Sequence, residues 1–195
     1  MKERSIIFNG DMVHAILDGR KTQTRRIAEF KLRENGYNLR FSGLRVGYYH
    51  NGMPSSGFVL RAADAGCWND RTFPLHCPYG QISEQLWVRE SKQIPRETSR
   101  ILLEITDIRI ERLQDISEQD VIAEGLMKIS KDGQLFKFGI SDMDGLPGGC
   151  DVGWKWREWE INPEIAYKKL WESIYGESSW DANPWVWVID FRRIR

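Results

Sequence analysis

The eight residues Gly19–Arg26 constrain this chain more than any other stretch. Gly19-Arg20-Lys21-Thr22-Gln23-Thr24-Arg25-Arg26 places four cations, two hydroxyls and an amide directly behind a helix-like segment. That mixture is poor core material. It reads either as a solvated basic face or as a short edge element lining a site for something polar and anionic. The surrounding chain has to decide between the two.

Upstream, Ser5–Asn9 predicts a short strand and Asn9-Gly10-Asp11 offers helix N-cap chemistry. Met12, Val13, Ile16 and Leu17 recur at helical spacing, and Gly19 is placed to stop the helix. Downstream, Leu44–Tyr49 and Phe58–Ala62 predict two strands around a turn-rich 51–57. Gln85–Glu90 alternates as a strand. In Ile101–Ile110 the apolar set moves from Ile101, Leu103 and Ile105 to Ile108 and Ile110, the mark of a bulge or of burial on both faces. Ser117 is the natural N-cap of a helix that runs through Val121 and Ile122 to Gly125. Lys131-Asp132-Gly133 marks a hairpin. Asn162-Pro163 opens the longest helix, with Ile165, Leu170, Ile174 and Trp171 as its expected buried stripe. Trp185–Phe191 is a closing strand. The order of elements predicts an α+β fold, a small mixed β-barrel with two or three flanking helices. Its single domain, 1–195, would carry insertions at 27–80 and 126–161.

The totals suit that size. A chain of 195 residues with 41% apolar and 29% charged residues is long enough to bury a core without metal or disulfides. Net charge is zero, yet residues 1–50 hold ten Lys/Arg against five Asp/Glu and the remainder 18 against 23. This excludes a bulk nucleic-acid coat and leaves room for a local basic face. Of nine tryptophans, seven lie between Trp154 and Trp187, and most are expected in the core. Cys67, Cys77 and Cys150 include no CxxC pair, which suits a reducing, cytoplasmic setting. Cys67, His76 and Cys77 match no zinc spacing, so neither metal nor cofactor is expected. No membrane span or signal segment is read from the sequence.

Several motifs together resemble a known family. Ile16–Arg26 resembles the GRKT signature of the ASCH domain family, whose fold is a PUA-like β-barrel. Leu86-Trp87-Val88-Arg89-Glu90 is similar to that family's second core strand. Leu113–Gly125 resembles its strand-to-helix segment ending in a Glu, and Trp185–Phe191 its last barrel strand. The combination with Ser179–Val188 also resembles the ASCH-like proteins of tailed bacteriophages and prophages. The resemblance implies an RNA- or nucleotide-related role. In one branch, an amidohydrolase that deacetylates acetylcytidine, the working residues are a Lys, a Thr and a Glu; carried over, these fall on Lys21, Thr24 and Glu124. Other members are described as RNA binders or ribonucleases.

Amide hydrolysis needs a nucleophile, a base and a donor for the leaving amine. A Thr hydroxyl is weak until a neighbour takes its proton, and a Lys does so once burial or nearby cations lower its pKa. Each residue also has a plainer role. Lys21 reads equally as a phosphate-binding cation, Thr24 as an ordinary strand residue, and Glu124 as a helix-end carboxylate, although negative charge is unfavourable there. In a regular strand Lys21 and Thr24 point to opposite faces, so they share a site only if the segment turns. Arg20, Thr22, Arg25, Arg26 and Arg89 are candidate phosphate contacts. Trp87 is a candidate stacking ring, and so is Trp180, both alternatively core. His14 and His50 read as structural. The leading expectation is an RNA- or nucleotide-binding module with a cleft between the GRKT segment and Glu124. An amidohydrolase for an acylated nucleobase or nucleoside, or a ribonuclease, is the alternative, and a phage assembly or interaction protein a weaker one. RNA binding is expected to be weak and salt-sensitive.

Overall fold

The structure, a computed structural model, describes residues 2–28, 41–48, 54–62, 73–75, 77–91, 93–148 and 153–195. They form two compact units, residues 1–28 with 79–195, and residues 29–78. In chain order the elements begin with β1 (Glu3–Ile7), α1 (Gly10–Leu17) and β2 (Gln23–Ile27). The second unit supplies β3 (Phe41–Tyr48), β4 (Pro54–Ala62) and β5 (Phe73–Leu75). The first unit resumes with β6 (Gln85–Arg89), β7 (Leu102–Arg112), α2 (Glu118–Ala123), β8 (Met127–Ser130) and β9 (Phe136–Gly139). It ends with α3 (Pro163–Tyr175) and β10 (Trp185–Arg193). The fold is α+β. The hairpin expected within 27–80 is present as β3–β4, and β5 adds to it antiparallel. Cys67, His76, Cys150, His50 and Trp68 lie outside the described residues.

The larger unit is built on a five-stranded sheet in the order β1-β6-β7-β10-β2. β1 runs parallel to β6, and the other pairs are antiparallel. β10 is central. Val186, Trp187, Val188 and Ile189 are all buried, which is the continuous apolar run of a strand covered on both faces. The register between β7 and β10 shifts where Asp190 faces Asp107 and Phe191 faces Ile105, so Thr106 is the extra residue. That bulge is what the phase change in Ile101–Ile110 predicts: Leu103 and Ile105 are buried, and Thr106 and Asp107 are exposed.

The expected barrel does not close among the described residues, because the pairing ends at β1 and β2. Side chains bridge these two edges instead. Arg26 of β2 donates to the Ile7 carbonyl at 2.9 Å, and its guanidinium lies 4.9 Å from the Phe8 ring centroid.

The helices start where their caps dictate. Asn9 accepts from the Met12 amide, Ser117 and Asp120 form a capping box, and Asn162 accepts from the amides of Glu164 and Ile165. One helix face needs correction. The buried face of α3 is Ala166, Tyr167, Leu170 and Trp171, while Ile165 and Ile174 are exposed. Aromatic rings at four-residue spacing, Tyr167, Trp171 and Tyr175, outcompete the isoleucines for the inward side: they bury more area per residue. Trp171 and Tyr175 stack at 4.2 Å, and Tyr167 meets Trp180 edge-on at 6.1 Å.

The hairpin expected at 131–133 is β8–β9, with Gly133 in the left-handed region at φ 74°. Its anchor is Gly139, where a Cβ would fall 2.5 Å from the buried Trp159 ring. Gly139→Ala is therefore expected to displace that ring and cost about 1–3 kcal/mol. Urea unfolding measures it as a lower midpoint at unchanged slope.

Candidate functional site

The segment after α1 turns back onto the helix before it joins the sheet, and this sets the geometry of the site. Gly19 adopts φ 76°, and the amides of both Arg20 and Lys21 then donate to the Ala15 carbonyl at 2.9 Å. The Thr22 amide donates to Ala123 at the end of α2, and the Thr22 carbonyl accepts from Phe191 of β10. Regular pairing begins only at Gln23. Lys21 thus precedes the strand and escapes its alternation. Gly125, at φ 106°, permits the approach of α1 and α2: a Cβ there would sit 3.2 Å from the Cβ atoms of Ala15 and Lys21.

Two sites distant in sequence meet at this turn. Lys21 Nζ donates at 2.7 Å to Glu124 Oε2 and at 2.7 Å to the Glu124 carbonyl. Both side chains are buried, Lys21 at 3% exposure and Glu124 at 3%. The Tyr167 hydroxyl donates to Glu124 Oε1 at 3.3 Å, and Arg25 approaches the same oxygen at 3.6 Å. Phe8 is the floor: Lys21 Nζ lies 5.6 Å from its centroid, and Arg26 stands over the same ring. Arg26 also donates to the fully buried Thr24 Oγ1 at 2.6 Å. Lys21 is thus joined directly to Glu124, while Thr24 is linked to them only through Arg26, which shares the Phe8 ring with Lys21.

Charge in this cluster follows from burial. Desolvation pushes the Lys21 ammonium down to about 8, although the charge and hydrogen bond of Glu124 pull it up. Burial, reinforced by Glu124, holds the Tyr167 phenol well above its ordinary value, so it remains a neutral donor. Burial also raises Tyr175, against the opposing charge of Arg26.

Behind the site lies an ion network. Arg25, with a side chain of zero exposure, reaches Glu111 at 3.1 Å and Asp120 at 3.2 Å, and donates to Gln23 Oε1 at 2.5 Å. Gln23 Nε2 donates to Asp120 and Asp190, and Arg109 bridges Glu111, Asp120 and Asp190. Burial pushes the Asp120 carboxyl up, but hydrogen bonds from Gln23 and Ser117 and the Arg25 charge bring it down to about 2.

The expected phosphate contacts separate accordingly. Arg25 is turned inward and spent on carboxylates, so it is not placed to meet a phosphate. Arg26 is half-buried on Thr24 and Ile7; Arg20 is tied to Asp18 and the Gly125 carbonyl; Thr22 is exposed. Trp87 and Arg89 form their own cation–π pair at 5.8 Å on β6. Among the described residues no hydrogen bond, ion pair or ring contact joins them to Lys21, Thr24 or Glu124. Trp180 is buried against Tyr167. Phe8, Tyr167 and Tyr175 are members of the site that sequence reasoning missed; the four-residue aromatic spacing of α3 is the signal that would have found the tyrosines.

No protein-family model matches the chain, and no curated protein or solved structure matches it. The site has to be read from its own chemistry.

Proposed function

We propose that the chain is an amidohydrolase that removes an acyl group from a modified nucleobase or nucleoside. The observation that carries this reading is the buried Lys21–Glu124 pair, with the Lys21 amine brought down to about 8 and Thr24 Oγ1 bonded to Arg26, whose guanidinium shares the Phe8 ring with Lys21. A phosphate-binding groove would keep its cations exposed, and here Lys21 and Arg25 are buried.

In the proposed reaction the neutral Lys21 amine accepts the Thr24 proton. Thr24 Oγ1 attacks the acyl carbon, the carbonyl electron pair moves onto the carbonyl oxygen, and Arg26 stabilises the negative charge that develops there. The C–N bond breaks, the leaving nitrogen takes the proton back from the Lys21 ammonium, and the acyl group stays on Thr24 as an ester. Water then hydrolyses the ester, releasing a carboxylic acid. Glu124 holds Lys21 in place and balances its charged form, and the Tyr167 hydroxyl holds Glu124. The nucleobase class is taken from the ASCH-like motif order, and under this reading the fold is PUA-like with its sheet open between β1 and β2 among the described residues.

The test is chromatography of acetylcytidine incubated with the purified protein and with Thr24→Ala. Release of cytidine and acetate by the wild type, reduced at least about 10²-fold in the variant, is the expected result. Equal traces from both proteins would refute the reading.

A further inference from the structure

A second surface of the larger unit carries cations that the proposed hydrolase site does not use. It is formed by the β8–β9 hairpin and the short turn Trp156–Glu158 packed on it. Trp159 is the anchor: buried, lying on Gly139, with its indole N–H donating to the Trp154 carbonyl at 2.9 Å. Trp156 stands 5.7 Å from Trp159 and is half-exposed, as is Trp154. Lys131 and Lys137 place their ammonium groups 4.6 and 5.2 Å from the Trp156 ring. Lys137 is held there by a 3.0 Å bond to the Trp159 carbonyl. Lys155 and Arg157, both exposed, flank Trp156 in the chain.

The nearby acids do not neutralise these cations. Asp132 accepts from the amides of Gln134 and Leu135 and from Ser130, inside its own turn. Glu158 caps the Lys155 amide, and Glu160 pairs with Lys169. Among the described residues Lys131, Lys137, Lys155 and Arg157 form no ion pair.

We infer that this face binds a single-stranded polynucleotide, with a base stacked on Trp156 and phosphates on the surrounding cations. A flat polyanion matches both halves of the surface. An acidic peptide satisfies the cations and leaves the indole idle. A base stacked on an indole is worth more than an exposed ammonium over it, so the base displaces a lysine, which then meets the phosphate. The inference does not rest on the hydrolase reading: the surface uses none of Lys21, Thr24 or Glu124.

The test is fluorescence anisotropy of a labelled oligouridylate of about 12 nucleotides, a length within the range single sites take. Four phosphate contacts predict a log–log salt dependence of about −3. Trp156→Ala is expected to weaken binding about 5- to 100-fold at unchanged salt slope. Lys131→Glu with Arg157→Glu is expected to weaken it further and flatten the slope. Both residues of that second variant are exposed, so it carries the test if circular dichroism shows Trp156→Ala unfolded. No binding by the wild type at low salt overturns the inference. So does unchanged affinity in a folded variant, or displacement of the oligonucleotide by an equal charge of polyglutamate, which would make the face an acidic-protein dock.

Discussion

The rate of acyl removal is expected to rise about tenfold per pH unit up to about pH 8 and then level, and Lys21→Met is expected to abolish that limb. The base acts only when neutral. Burial brings its amine down to about 8, so at pH 6 the competent fraction is roughly one hundredth of the plateau value, by one decade per unit. Removing the base altogether is expected to cost about 10²–10⁴-fold in kcat. Glu124→Gln separates positioning from chemistry. The Glu124 charge is what raises Lys21, so its loss is expected to move the Lys21 titration below 8. Titration of the Lys21 side chain by NMR in wild type and Glu124→Gln reads this without turnover. An unmoved titration would sink the electrostatic account even if activity fell.

The same shift sets a sign for stability. The folded value of Lys21 lies below the ordinary 10.5. Between about 8 and 10.5 the unfolded chain therefore holds more protons than the folded one, and stability from this group rises with pH across that window. Below about 8 the cost of burying the ammonium is fully present. Lys21→Met is expected to flatten the dependence of Tm on pH between 8 and 10.

What could be read from the sequence was local. Asn9, Ser117 and Asn162 cap their helices because a side-chain oxygen before an apolar run satisfies amides whatever the fold does. The irregularity in Ile101–Ile110 was visible as a phase change, which left a bulge and burial on both faces open until the register placed the bulge at Thr106. The convergence of Lys21 with Glu124 came only through the family resemblance and had no signal in the residue pattern itself. It depends on the Lys21 amide bonding back to Ala15 and on Gly125 admitting the contact, and neither bond has a periodicity. The fate of Arg25 was hidden for a related reason. A basic run looks solvated until the carboxylates that face it, Glu111, Asp120 and Glu124, arrive from elements about a hundred residues later. The stripe of α3 was misjudged because isoleucine and tyrosine compete for one face, and ring area decided it.

Replacing Arg25 by Met is expected to destabilise the larger unit by about 3–5 kcal/mol, the effect of removing one partner from a buried ion-pair network. The arginine has no exposed surface and three carboxylates within 3.6 Å. Arg109 still reaches Glu111 and Asp120, and Lys21 still holds Glu124, so the network survives with one positive charge fewer. Arg25→Lys is not a rescue. A single ammonium cannot reproduce the fork that meets Gln23, Glu111 and Asp120 at once. Acid distinguishes this account from a simple packing defect. In the wild type the Asp120 carboxyl is held down at about 2, so the stability it contributes is present above about 4 and is lost as pH falls through 2. The Arg25 charge is one of the causes that hold Asp120 down, so without it the Asp120 carboxyl moves up and the gap between wild type and Arg25→Met is expected to narrow on acidification. Urea midpoints at pH 7 and pH 4 measure both quantities. A gap that stays constant with pH would mean that Arg25 acts through its volume and not its charge.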